Sequence, residues 1–294
     1  MIIDDKICAI IVTYNPDKGV IFNVRELHRQ VKKIVIVDNG SNSNSKKYIE
    51  QIRTSYKCKV IYNNENLGIA TALNVGVRYA IKHGYKWVAT FDQDSTVTPN
   101  MLENMMKIYD SFPSRESLAI ISPKHRDKNL IKYETRESFN RLSEYHSVMS
   151  VMTSGNLIKI DVFDKIGLFN DDLFIDYVDH EFCFRCQMNK LQILEADNAV
   201  LNHREGYTQR FYFIGKRITI TNHNYLRRYY KSRNRIYMYK NFFKIFPRWV
   251  LFDIKSFISE TIGIIFFEDD KIRKIHSIIR GTNDGLKNRL GRMS

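Results

Sequence analysis

Residues 7–12 (Ile-Cys-Ala-Ile-Ile-Val) are apolar without interruption and stop at Thr13-Tyr14-Asn15-Pro16. So short a run, with no polar position alternating through it, predicts a parallel strand covered on both faces. The same pattern returns at residues 33–37 before Asp38-Asn39-Gly40-Ser41, and at residues 87–91 before Asp92-Gln93-Asp94-Ser95. Residues 59–62 and 118–123 read as further strands. Helical stretches fall between them: one to Val31 with Val20, Val24 and Leu27 on its face, one to about Tyr56, and one over residues 67–83. A further helix is expected after Thr98-Pro99. Strand and helix alternating at short intervals predict an α/β fold, a doubly wound and mostly parallel sheet flanked by helices.

Such sheets bind ligands at the carboxyl ends of their strands. Here the ends carry no G-x-G-x-x-G and no Walker-type loop, so a dinucleotide enzyme or P-loop protein lacks its phosphate turn. They carry acids instead. Asp92 and Asp94, at i and i+2, suit one hard cation with positions left for diphosphate oxygens. Asp38 can accept the N3–H of uracil or thymine, with the loop of Thr13, Tyr14 and Asn15 beside the base. Asn66 is placed to cap the next helix. Gly68, Ala72 and Gly76 recur at i+4 and leave one helix face nearly bare, for close packing on the sheet or close approach of a nucleotide.

A second chemical centre lies at residues 173–185. Asp176, Asp179 and Glu181 stand within six positions, and Asp176 and Asp179 are set among Phe174, Ile175, Tyr177 and Val178. Acids in a first helical turn favour the macrodipole, yet an apolar setting also suits a general base. Residues 199–203 form a strand-like run ending in His203. Ser154-Gly155-Asn156 offers a small-residue turn that a sugar could approach.

Taken in order, Thr-Tyr-Asn-Pro, Val-Asp-Asn-Gly-Ser, Asn-x-Gly-x-Ala-x-Ala-x-Asn-x-Gly and Asp-Gln-Asp-Ser resemble the nucleotide half of glycosyltransferase family 2. That family has the GT-A fold and inverts configuration at the transferred sugar. The Asp-Gln-Asp-Ser version, with the later motifs, is most similar to bacterial rhamnosyltransferases that use dTDP-L-rhamnose. The resemblance implies a nucleotide-sugar site formed by Thr13, Tyr14, Asn15, Asp38, Asn66, Gly68, Asn74, Asp92, Gln93 and Arg233. It implies Mg²⁺ or Mn²⁺ on Asp92, Asp94 and His203, with acceptor contacts from Ser154, Gly155, Asn156 and Asp176. Asp179 takes the place of the family's base, and Glu181 replaces a second Asp. Val178 stands where many members have Glu, which keeps Asp176 as a rival in the acceptor site. The acceptor implied is a diphospho-polyprenol-linked saccharide destined for O-antigen or capsule.

Charge divides the chain. Residues 204–294 carry 20 Lys and Arg against 7 Asp and Glu, so nearly all of the net +14 sits there. We expect a catalytic domain over residues 1–215 and a basic, aromatic-rich helical extension over 216–294. Within the extension, residues 227–235 interleave cations with aromatics, and Arg233 is expected to face a diphosphate. A segment from Phe246 to Ile265, apolar at helical spacing among Lys244, Arg248 and Lys255, predicts a helix at a membrane interface or in a homodimer. No helix-turn-helix, zinc finger or RNA-binding signature accompanies the charge, so nucleic acid is not an expected partner. A basic lipid- or nucleic-acid-binding protein is the non-enzyme alternative, and another UDP- or dTDP-sugar the enzymatic one.

Asp4, Asp5 and Lys6 break the N-terminus before any apolar run, and no stretch reaches a membrane span. Cys183-x-x-Cys186 has no second pair for zinc and falls in a predicted helix. The four thiols suit a reducing cytosol, and the expected location is cytoplasmic, peripheral to the inner face of a bacterial membrane.

Overall fold

The computed structural model describes residues 3–127, 144–203, 209–213 and 216–293. It divides into two compact units, one of residues 1–170 with 179–204, the other of residues 171–178 with 205–294. The boundary expected at 215/216 is thus displaced to 204/205, and a short piece from the middle of the chain belongs with the tail.

In the first unit β1 (Ile3–Thr13), β2 (Val31–Asp38), β3 (Lys59–Tyr62) and β4 (Trp87–Asp92) lie parallel in the order β3-β2-β1-β4. The apolar runs of β1, β2 and β4 are buried, which is why they show no alternation, while β3 is a partly exposed strand at the end of the order. The sheet continues through β8 (Leu157–Lys159), β6 (Leu118–Asp127), β9 (Gln192–His203) and β5 (Thr96–Val97). β8 runs antiparallel to β4 and β6, while β6 and β9 are parallel. The sheet is mixed α/β and mostly parallel, as expected. Residues 124–127 extend β6, and β7 (Tyr145–Ser147) pairs with β9, so the polar segment over residues 124–147 is not all loop. Residues 128–143 lie outside the described residues.

Helices α1 (Gly19–His28), α2 (Ser43–Tyr56), α3 (Ile69–Lys82) and α4 (Met101–Ser111) connect these strands, and α5 (Ile160–Ile166) follows β8. α1 stops before Val31, which opens β2. In α2 the cap is Asn42, whose side chain accepts from the Ser45 N–H at 3.0 Å. Asn66 does not cap α3; that position is Gly68, and Asn66 Oδ1 accepts the Gly68 N–H one turn earlier. The bare face of α3 is taken by the sheet, since a Cβ at Gly76 would lie 2.4 Å from the Ile10 side chain. Burial pushes the Cys8, Cys58 and Cys186 thiols up to about 12 and raises Cys183 as well, so none is a ready nucleophile.

The second unit opens on a hairpin, β10 (Gln209–Phe213) antiparallel to β11 (Lys216–Ile220), so it is not helical throughout. Then come α7 (Tyr225–Phe242), α8 (Pro247–Phe267) and α9 (Lys271–Leu286). Asn224 caps α7 by accepting from Arg227 N–H at 2.9 Å. Part of the basic charge is inward. Arg228, Arg235 and Lys274 are at most 3% exposed and pair with Glu260, Glu268 and Asp253. Burial alone would raise the Glu260 carboxyl, but Lys231, Arg228 and Arg235 hold it down to about 2. The cation–aromatic interleaving of residues 227–235 is therefore largely the inside of a helical unit, not a displayed basic surface.

α7 and α9 approach through small residues: a Cβ at Gly281 would lie 2.3 Å from the Tyr229 carbonyl oxygen. Gly281→Ala should gain about 1 kcal/mol of helix propensity but meet overpacking of about 1–3 kcal/mol. Because the obstacle is backbone, overpacking is expected to win and the melting temperature to fall. An unchanged or raised melting temperature would refute this close packing.

Candidate active site

The first and second strand ends are laced together. Asp38 is fully buried and accepts from the Thr13 hydroxyl at 3.2 Å and from the Ser41 N–H at 3.2 Å, with a further contact from the Ser41 hydroxyl. Asn15 N–H donates to Ser41 Oγ, and Asn15 Oδ1 accepts the Asn42 N–H. Of the residues expected around a base, Thr13 and Asp38 are buried while Tyr14, at 47% exposure, and Asn15 are open. Gln93 joins this loop to the acidic turn, its amide exchanging hydrogen bonds with the Tyr14 backbone at 2.8 and 3.3 Å. Asn39, which the motif reading passed over, is the hub of the neighbouring corner. It donates to Asn66 Oδ1 and the Gly68 carbonyl, and accepts from Asn63 and Leu67 N–H.

The acidic turn at the end of β4 meets the end of β9. Asp92, Asp94 and His203 each offer a ligand atom within 4.8 Å of the others. His203 Nδ1 is 3.5 Å from Asp94 Oδ1 and 2.9 Å from Ser95 Oγ. A hydroxyl on the imidazole is the outer-sphere contact that orients a metal-bound histidine. Two carboxylates and one imidazole suit Mn²⁺, and Mg²⁺ less well. The residues present thus fit a divalent cation.

Beneath the turn lies residues 150–156, and here the structure corrects the expectation of direct acceptor contacts. Ser154 and Asn156 are 2% and 3% exposed. Ser154 Oγ accepts the Asp92 N–H at 3.0 Å and bonds Ser95 Oγ at 2.7 Å, and the Gly155 N–H donates to the Thr90 carbonyl. These residues support the acids from behind. His125 joins them by donating from Nε2 to the Ser154 carbonyl at 2.7 Å, and burial, with His203 nearby, lowers its pKa. An isolated His in a strand gave no sequence signal for that role.

The other end of the same segment holds the second centre. In α6 (Val178–Met188), Asp179 stands in the first turn, partly exposed, with Oδ1 accepting the His180 N–H at 2.8 Å. His180 Nδ1 is 2.9 Å from Ser150 Oγ, and Cys183 Sγ lies 4.0 Å from the Val151 carbonyl. Seven residues therefore tie the helix of Asp179 to the turn of Asp92 and Asp94. Glu181 is buried and grips Arg185, which in turn binds the Ile166 and Leu168 carbonyls. Asn74, expected at the nucleotide, holds the Phe169 backbone instead, by bonds of 2.8 and 3.0 Å.

In the second unit, Arg233, expected at a diphosphate, has its partners within that unit. It is fully buried and donates to the carbonyls of Asp172, Leu173 and Gly291. Asn234 beside it donates to the carbonyls of Leu173, Ile175 and Asp176 at 2.7–2.9 Å. What they clamp is strained: Phe174, Asp176 and Tyr177 have φ of +62°, +64° and +64°. Asp176 itself is held by Arg227 through two nitrogens, at 2.9–3.2 Å.

A parallel sheet whose strand ends gather a base-sized loop, a metal-fitting Asp-x-Asp with a histidine, and a separate helix-borne carboxylate defines a nucleotide-sugar glycosyltransferase of the GT-A type. The chain belongs to glycosyltransferase family 2, whose model matches residues 8–167. It is 31% identical, over 97% of its length and 96% of the other's, to the dTDP-rhamnosyl transferase RfbF of Shigella flexneri. Among solved structures it is similar in fold to the mannosyltransferase PcManGT of Pyrobaculum calidifontis in complex with GDP-Man and Mn²⁺. There the TM-score is 0.60 at 12% identity, covering 97% of this chain and 88% of that one. GalNAc-T7 with UDP, GalNAc and Mn²⁺ gives a TM-score of 0.61 at 14% identity, over 84% of this chain and 50% of that chain.

Proposed function

We propose that the protein transfers L-rhamnose from dTDP-β-L-rhamnose to a hydroxyl of a saccharide acceptor, with inversion, to give an α-L-rhamnoside. The similarity to the Shigella transferase carries this reading, because it runs through both units and not only the nucleotide half. In this reading Tyr14 and the loop around Asp38 receive the thymine. Asp92, Asp94 and His203 hold Mn²⁺ or Mg²⁺, which when bound supplies neutralising charge to the diphosphate. Asp179 takes the proton as the acceptor oxygen bonds to the anomeric carbon and the bond from that carbon to the diphosphate oxygen breaks. Attack from the face opposite the leaving group fixes the inversion. The acceptor we favour is a diphospho-polyprenol-linked saccharide for O-antigen or capsule.

Thermal shift with dTDP, UDP and GDP, each with and without Mn²⁺, tests the donor. The expected result is stabilisation by dTDP above UDP and GDP, dependent on metal. At a hundredfold excess over Kd it should reach about 2.7 kcal/mol. A larger response to UDP would move the donor to a UDP-sugar and leave the proton transfer unchanged. Silence towards all three nucleotides would remove the reading.

A further inference from the structure

Helix α8 is built inside out. Its acids, Asp253 and Glu260, are drawn inward, where Arg235, Arg228 and Lys231 pair with them. Its outward face carries Leu251, Phe252, Ile258 and Phe266, which are 53–68% exposed. Arg248 and Lys255, exposed at the same helical spacing, are the charges among them. A helix on the surface of a soluble protein ordinarily shows the reverse arrangement, with its apolar stripe against the core. An exposed apolar face of this kind marks an interaction site.

We infer that the outward face of α8 lies on an anionic lipid surface. The face is apolar with basic residues and holds no acid, which complements anionic headgroups above acyl chains. A second copy fits it less well. A two-fold contact brings the same acid-free patch to itself, so Arg248 and Lys255 find no acid of that patch to pair with. The mode is peripheral, because among the described residues no helix is long and apolar enough to cross a membrane. At about 1.5 Å per residue, the 21 residues of α8 lie along roughly 30 Å of surface. Lipid binding is measured with no sugar or nucleotide present, so this inference stands or falls apart from the proposed reaction.

The test is co-sedimentation of the full chain with vesicles of phosphatidylcholine, with and without phosphatidylglycerol. Binding is expected only to the anionic vesicles. Replacing Arg248 and Lys255 by Gln should weaken it about thirty-fold, from about 1 kcal/mol per cation near an anionic surface. Leu251→Ser combined with Phe252→Ser and Phe266→Ser should abolish it while leaving the melting temperature unchanged, because these side chains face solvent. Equal binding to neutral and anionic vesicles, or full binding by the serine variant, would overturn the inference. So would a wild-type dimer that the serine variant dissolves in the absence of vesicle binding, which would give the face to a second copy.

Discussion

Asp179→Asn is expected to lower turnover by about 10²–10⁴-fold, the usual worth of a positioned general base, with the melting temperature essentially unchanged. The substitution is nearly silent structurally, because asparagine keeps the oxygen that accepts the His180 N–H at the start of α6. What it loses is the ability to take a proton. Donor binding should survive, so the loss belongs in kcat and not in the affinity for dTDP. The rival acid separates cleanly. Asp176 is locked to Arg227 in the second unit, so Asp176→Asn should cost stability before it costs proton transfer. Near wild-type turnover in folded Asp179→Asn, with a collapse in Asp176→Asn at unchanged melting temperature, would exchange the two roles.

The second large effect concerns the cation. Asp94→Ala removes one of three groups that come within 4.8 Å of each other, and the Asp94 side chain is 44% exposed, so folding should tolerate the change. Manganese affinity, read by calorimetry in the presence of dTDP, is expected to fall by more than about 100-fold. Ser95→Ala provides the graded control. It deletes the hydroxyl shared by His203 Nδ1 and Ser154 Oγ, leaves all three candidate ligands in place, and should cost about 10–100-fold, as outer-sphere partners do. Both variants should lose the metal-dependent part of the thermal shift in the same order. An Asp94→Ala protein that binds Mn²⁺ as the parent does would remove Asp94 from the metal site.

How much of this could be read from the chain depended on where each polar group finds its partner. Strands at residues 7–12, 33–37 and 87–91 were legible because burial on both faces writes itself as unbroken apolar sequence. The acids after them were legible because a strand end in such a sheet is already a ligand position. Asn74, Ser154 and Arg233 were misread for one shared reason. Each is a polar residue inside a motif, and polarity there suggests a ligand. The structure gives each a partner in its own chain instead, Asn74 and Arg233 at carbonyls 95 and 58–61 residues away. Sequence spacing holds no record of such long-range bonds. The periodicity of α8 was equally plain, but it reports that a helix has two faces and not which of them is turned inward.

The placement of residues 171–178 bears on how such an enzyme could be taken apart or diversified. The C-terminal helices look like an interchangeable module, yet their unit includes eight residues from the middle of the chain, immediately before Asp179. Cutting the protein after residue 204 would not yield a smaller working transferase. It would leave the left-handed Phe174, Asp176 and Tyr177 without the Arg233 and Asn234 donors that hold the carbonyls of Leu173, Ile175 and Asp176, just before the helix that carries Asp179. A chimera carrying another tail would have to inherit the matching loop as well. For any such exchange, these two distant stretches of sequence are one structural part.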